Sequence, residues 1–434
     1  MTGVNTKNRP LATYVCGNTG SGKSCLLQRN ILWDIAKQHG VCVIDPTEQL
    51  INVVLSHLPK SRLDDVVYFE TSIGIPLDFF SYRDDDERQE LVRDISDIID
   101  IQDAKIARHY IRKILIALFE ANANNIPKRC TVFDILSFVQ NEGRRKEILK
   151  HCHPEREYDH PPHVKIQPDT ISAIIMRMSI LSDNPTTRKV LGASEGGINV
   201  ADLINGNKIF LVKLRRGEAE QIVGSIIATK IQHAIFARLK MPDITKATPY
   251  YLYIDECHKI LSFAEDRFDD ILLEARKCKL CLTMANALPT KLPKKIQESM
   301  GTIGNKVIFQ LNEKDASIFK SEIAPYRPDY LQNFPPFHAI FRTGNQVQLI
   351  KTPQWLPSLK NGNAEDVRTR TLQKYACKSE PISHTSEDGP KPDPQPEAKI
   401  PHDESQTRGA HAPRGVFRPP DKRSSSAPKK PNNK

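Results

Sequence analysis

Gly17-Asn18-Thr19-Gly20-Ser21-Gly22-Lys23-Ser24 is the stretch from which the rest of the chain can be read. It fits the pattern G-x-x-x-x-G-K-[ST] without a mismatch. Before it, Leu11-Ala12-Thr13-Tyr14-Val15-Cys16 predicts a buried strand; after it, Cys25 to Trp33 predicts a helix. Strand, glycine-rich turn and helix together make an anion cradle. The glycines let backbone N–H groups converge on a phosphate, and the helix adds the positive end of its dipole. Gly17, Asn18, Thr19, Gly20, Ser21, Gly22, Lys23, Ser24 and Cys25 are therefore the expected nucleotide-binding set. Lys23 is expected to reach the terminal phosphates and to act in catalysis. Ser24 is expected to offer its hydroxyl to Mg²⁺.

Working outward, Val41-Cys42-Val43-Ile44 is a short apolar run that ends in Asp45-Pro46. A carboxylate at a strand end beside a phosphate loop faces the nucleotide crevice, and Asp-Pro is also good turn chemistry; Asp45 is a candidate on the first ground. Gln49 to Leu58 predicts a helix and Val66 to Phe69 a strand. From residue 84 to 183 the pattern is helical, with Leu91, Ile95, Ile98 and Ile99, then Ile106, Tyr110, Ile114 and Leu118 at helical spacing. This block predicts an all-helical domain inserted into a sheet domain. The sheet resumes at Lys208 to Val212. An amphipathic helix follows, its stripe formed by Val223, Ile227, Ile231 and Ala234.

Tyr250-Tyr251-Leu252-Tyr253-Ile254 runs into Asp255-Glu256. Downstream of a phosphate loop, such a strand end places Asp255 in the Mg²⁺ shell. It places Glu256 where it can orient and deprotonate an attacking water. Ala264 to Lys277 predicts a helix carrying Arg276. Leu280 to Ala285, ending at Asn286, and Lys306 to Gln310 predict strands. His338 to Ile350 predicts a hairpin around Thr343-Gly344-Asn345.

The chain of 434 residues carries a formal net charge of +10, which suits a polyanionic partner such as nucleic acid, and also an acidic membrane surface or plain solubility. Met1 to Pro10 is polar and no signal peptide is read there; no apolar run of about 18 residues predicts a membrane span. The nine cysteines are odd in number, which points to reduced thiols and away from a disulfide framework. His151-Cys152-His153, with His160 and His163, could hold zinc. The Pro-rich surroundings read instead as a solvated loop. The predicted layout is a sheet domain at 1–83 and 184–357, a helical insertion at 84–183, and a disordered, basic, Pro-rich tail at 358–434. From Arg408 to Lys434 the tail is rich in Lys and Arg; it either grips phosphates without sequence choice or only solubilises.

Five stretches then occur in one order: Val41–Leu50, Lys208–Leu214, Tyr250–Glu256, Leu273-Glu274-Ala275-Arg276-Lys277 and Leu282-Thr283-Met284-Ala285-Asn286. The series resembles the additional-strand P-loop ATPases of the HerA/FtsK group. It is most similar to the TraG/TraD-type conjugative coupling proteins of type IV secretion and their soluble HerA-like relatives, from about Pro10 to Pro357. The resemblance implies a RecA-like α/β sheet with an inserted all-helical domain, and a hexameric ring with ATP and Mg²⁺ at subunit interfaces. It also implies hydrolysis that drives sequence-independent movement of DNA, with relaxase or secretion-channel proteins as partners. Arg276 matches the arginine finger that acts on a neighbour's γ-phosphate, a fixed fork of donors for transition-state charge. The location implied is cytoplasmic or peripheral at an inner-membrane secretion complex.

Three positions depart from the family pattern. Ala287 stands where the strand usually ends in a γ-phosphate-sensing Gln. Cys257-His258 replaces an aromatic residue and Gln, and Thr47-Glu48-Gln49 replaces a Gly and an acid. The departures bear on turnover more than on nucleotide binding. The family's N-terminal transmembrane region has no counterpart in the sequence given. Two alternatives stay open: an ATPase that packages viral or mobile-element DNA, and a non-hydrolysing ATP-binding switch that docks a partner. A metabolic kinase fits the Asp-Glu pair and the large insertion poorly.

Overall fold

The structure is a computed structural model that describes residues 9–99, 105–156, 167–194, 196–214, 217–261, 265–352, 354 and 363–375, with the backbone alone at 265–268. The described strands are β1 (Thr13–Cys16), β2 (Gly40–Asp45), β3 (Val66–Glu70), β4 (Ile209–Lys213), β5 (Tyr250–Ile254), β6 (Leu280–Asn286), β7 (Asn305–Ile308), β8 (His338–Thr343) and β9 (Gln346–Lys351). They form one sheet in the order β3-β4-β2-β5-β6-β1-β7-β8-β9. Pairing is parallel from β3 across to β7, and antiparallel for β7–β8 and β8–β9. Every residue of β1 to β7 is buried. A parallel sheet covered on both faces requires this, and it is why these strands read as unbroken apolar runs. Along β1, Tyr14 and Cys16 belong to one core and Val15 to the other, as the two-residue strand period demands.

The helices fall into groups around that sheet. Helices α1 (Lys23–Ala36) and α2 (Gln49–Ser56) pack on the Val15 face. Between β3 and β4 run α3 (Asp85–Ile99), α4 (Lys105–Ala123), α5 (Asp134–Gln140), α6 (Glu142–Leu149), α7 (Pro168–Ser182) and α8 (Pro185–Leu191). The chain leaves and returns side by side: Leu77 and Ile198 form a parallel bridge, with Asp78 N–H donating to the Ile198 carbonyl at 3.0 Å. Local sequence sets the boundaries. Asn184 accepts from the N–H groups of Thr186 and Thr187 to cap α8, and Pro185 occupies its first turn. The block shares the larger core with the helix Glu218–Phe236, whose His233 Nε2 lies 2.8 Å from Asp94 Oδ2 of α3.

The remaining helices are α9 (Val200–Asn205), α10 (Glu218–Phe236), α11 (His258–Leu261), α12 (Glu265–Glu274), α13 (Lys294–Ser299), α14 (Glu313–Ile318), α15 (Pro328–Gln332) and α16 (Ala364–Tyr375). The stretch Glu218–Lys240 has the length and apolar composition of a membrane span, against the expectation that no such run occurs. Here 83% of its most apolar window is packed inside the protein, so burial in the core accounts for that composition. Helix α16 starts the segment expected to be disordered. Val367 is fully buried and Thr371 Oγ1 accepts from the Tyr68 N–H of edge strand β3 at 3.2 Å. Arg368 adds a guanidinium 5.2 Å over the Tyr68 ring and an ion pair with Glu70 at 3.9 Å, so the helix covers the sheet edge. The basic residues from Arg408 onward lie outside the described residues.

Candidate functional site

The carboxyl-terminal ends of the parallel strands lie along one edge, because Cys16 is level with Asn286 and Ile308, and Ile254 with Met284 and Ile44. Ligands of open α/β sheets bind at that edge. There β1 turns into the loop Gly17 to Gly22. Gly22 has φ 119°, and a Cβ on it would sit 3.1 Å from both the Phe309 and Phe337 rings. Gly17 is tighter still, since a Cβ there would come within 2.5 Å of the Phe309 Cβ. Neighbouring loops fix the turn. Asn18 N–H donates to the Gln310 carbonyl at 2.7 Å, and Phe337 N–H to the Ser21 carbonyl at 2.7 Å.

Lys23 is buried at the start of α1, and its ammonium donates to the carbonyls of Gly17 (2.6 Å) and Asn18 (3.3 Å). Burial lowers its pKa, with Glu256 and Asp255 pulling the other way. Thr19 and Gly20 are exposed, Asn18 and Ser24 are half-buried, and Cys25 packs inward with its thiol pushed up by burial. Ser21 Oγ is buried without a hydrogen-bond partner. An orphaned hydroxyl inside a cradle of N–H groups fits a phosphate ligand.

Strand β6 lies between β1 and β5, so the loop and the Asp255 turn stand two strand spacings apart, about 10 Å. Asp255 follows β5 with its N–H on the Ile44 carbonyl at 3.0 Å. Burial, then the negative charges of Asp45 and Glu256, push its carboxyl up to about 7. A buried acid crowded by acids is a site that a divalent cation would relieve. The donor set therefore fits Mg²⁺, with Asp255 and Ser24 as the residues that would hold it.

Asp45 is fully buried. Its Oδ1 accepts from Thr47 N–H and Oγ (both 2.7 Å), and its Oδ2 from the N–H groups of Leu50 (3.0 Å) and Ile51 (3.2 Å). It caps α2 and stands as a fixed negative charge beside Asp255.

Arg276 lies elsewhere. Helix α12 ends at Glu274, before the predicted limit, and Arg276 sits exposed in the turn that follows; residue 264 is outside the described residues. The turn closes early because Leu280 N–H must reach the Ala275 carbonyl (3.0 Å) to start β6. Arg276 thus precedes a seven-residue strand whose far end is level with Cys16. At roughly 3.3 Å per residue this puts it on the order of 20 Å from its own phosphate loop.

Other residues at the site were not assigned a role from sequence. Phe337 takes a left-handed φ of 68° to aim its N–H at Ser21; Pro335-Pro336 before it signals a turn but not its target. His258 and Asn286 meet beside Glu256. Of the histidine cluster, His151 Nδ1 lies 3.0 Å from the Glu147 carbonyl and Cys152 Sγ donates to the Ala117 carbonyl at 3.2 Å, while His160 and His163 fall outside the described residues.

The chain matches no described protein family and no curated protein. Its fold is similar to solved structures. The plasmid coupling protein TrwB in complex with the non-hydrolysable GTP analogue GDPNP aligns at TM-score 0.61 and 15% identity, over 82% of this chain and 88% of that one. TrwB in complex with ADP and Mg²⁺ aligns at TM-score 0.59 and 14% identity, over the same shares. VirB4 of Thermoanaerobacter pseudethanolicus aligns at TM-score 0.51 and 13% identity, over 79% of this chain and 90% of that one. The resemblance to HerA/FtsK-type ATPases thus holds in the architecture, and the fold is a RecA-like P-loop ATPase sheet with an extra strand between its two phosphate-site strands.

Proposed function

We propose that this chain is an ATP-dependent motor ATPase that moves DNA, working as a hexameric ring in conjugative transfer or type IV secretion coupling. One observation carries the reading: Lys23, Asp255 and Glu256 share one edge of the sheet, while the exposed Arg276 lies at the opposite edge. Among the described residues, a subunit so built keeps its binding loop and base at one edge and its candidate arginine, Arg276, at the other, out of the loop's reach. A ring of copies supplies one from the neighbour. The fold likeness to TrwB and VirB4 supports the setting, and the net charge of +10 suits DNA.

In this reading the loop N–H groups bind the phosphates, and Lys23 exchanges the Gly17 and Asn18 carbonyls for phosphate oxygens. The Glu256 carboxylate holds the attacking water and takes its proton. When bound, Mg²⁺ would be held by Ser24 and Asp255 and would supply neutralisation of phosphate charge. The test is phosphate release with single- and double-stranded DNA: stimulation lost in Lys23→Ala supports the motor, and indifference to both DNA forms argues against it. Ala287, which offers no side-chain donor at the strand end, favours a second reading as a nucleotide switch. Tight ATP binding without turnover would select that one. DNA packaging shares the same chemistry, and the neighbouring genes would separate it from conjugation.

A further inference from the structure

Glu256 follows β5 in a turn with φ 43°, a conformation that a non-glycine residue adopts when its surroundings impose it. Its side chain is 20% exposed and His258 Nδ1 lies 3.4 Å from its Oε2. The same nitrogen makes the shorter contact to a second group, since Nδ1 lies 2.8 Å from Asn286 Oδ1. The Asn286 amide is oriented in turn. Its Nδ2 donates to the Leu288 carbonyl at 2.8 Å, a group that only accepts. Oδ1 is thereby assigned to the histidine side, and an acceptor there requires the proton on Nδ1. Burial holds the ring below its usual pKa, with Lys259 and Lys291 acting the same way and Glu256 and Asn286 opposing. The neutral ring is then the Nδ1–H tautomer, with that N–H between Asn286 Oδ1 and Glu256 Oε2.

We propose that His258, locked by Asn286, is a positioning residue for Glu256. The proposal rests on the reading of Glu256 as the proton acceptor for water. The Nδ1–H, held chiefly by Asn286 Oδ1 at 2.8 Å, also faces Oε2 at 3.4 Å and so biases the carboxylate to keep Oε1 for the water proton. A separation of 3.4 Å is long for a hydrogen bond, as such contacts are before a substrate closes the site. Asn286 ends β6, hydrogen-bonded between β5 and the loop strand β1. The lock therefore ties the orientation of Glu256 to the strand that carries the phosphate loop.

The experiment compares kcat and ATP-analogue affinity in wild type, His258→Ala, His258→Asn, His258→Gln, Asn286→Ala and Glu256→Gln. His258→Ala and Asn286→Ala should lower kcat on the order of 10²-fold, the scale of a misplaced catalytic group, with affinity unchanged. His258→Asn puts an amide N–H where Nδ1–H was and should recover most of the rate; His258→Gln reaches toward the Nε2 position and should not. A wild-type rate in His258→Ala, or equal rescue by both amides, overturns the proposal. Failure of the underlying reading looks different: Glu256→Gln would then turn over like wild type. A readout independent of activity is the ¹⁵N spectrum of the ring, assigned by its loss in His258→Ala. The Nδ1–H tautomer, lost in Asn286→Ala, is expected. An Nε2–H tautomer in the wild type overturns the proposal even in a protein without turnover.

Discussion

The phosphate loop and the Asp255–Glu256 turn sit at the same edge of one sheet and are built in opposite ways. The loop works through its backbone. Gly22 holds φ 119° against Phe309 and Phe337, and main-chain bonds from Asn18 and Phe337 set its shape. The turn works through side chains gathered from three strand ends: Asp45 from β2, Asp255 and Glu256 from β5, Asn286 from β6. A backbone site is written in consecutive residues. A side-chain site is written in residues up to 241 positions apart, as from Asp45 to Asn286.

The largest expected effects divide the two regions by binding against turnover. Lys23→Ala should remove ATP binding and hydrolysis together. Glu256→Gln should keep ATP bound and slow turnover by about 10²- to 10⁴-fold. Equilibrium binding beside phosphate release checks both, and loss of binding in Glu256→Gln would erase the contrast. Arg276→Ala should slow turnover by about 10³-fold or more with binding intact. Mixing it with Lys23→Ala should restore hydrolysis, because some interfaces then combine an intact loop with an intact arginine. No recovery on mixing would place Arg276 outside the reaction.

A smaller effect is expected at Gly22. Gly22→Ala forces a Cβ into a left-handed conformation against two phenyl rings and should cost about 1–3 kcal/mol, seen as a lowered Tm and weakened ATP binding. The smallest is a pH effect at the far end of α1. There Asp34 accepts from Arg9 and Tyr253, and burial pushes its carboxyl up to about 6. An acid whose folded pKa lies above its unfolded value of 3.8 binds more protons when folded. Its contribution therefore favours the fold below about pH 4 and is lost as pH rises to about 6. The Tm of wild type should fall relative to Asp34→Asn across that window, by the equivalent of roughly 2 kcal/mol. A flat difference would contradict the assignment.

How much could be read from sequence follows the same division. The loop and the strands were legible because glycine spacing and unbroken apolar runs are local consequences of an anion nest and a two-sided sheet. Helix α12 ends three residues before the expected Lys277, since the register of β6 stops the helix, not its own propensity. The start of the tail reads as disordered because its polar composition hides the few contacts it makes with the sheet, from Val367, Arg368 and Thr371. His258 reads as a departure from the family pattern. Its meaning depends on Asn286, 28 residues on, and on which way that amide points.

The most direct measurement is steady-state phosphate release from purified protein, with and without DNA, beside Lys23→Ala. The account predicts turnover that rises with DNA and vanishes in the variant. Bound ATP with no release under either condition would contradict it, and would show that the side-chain half of the site does not complete what the backbone half begins.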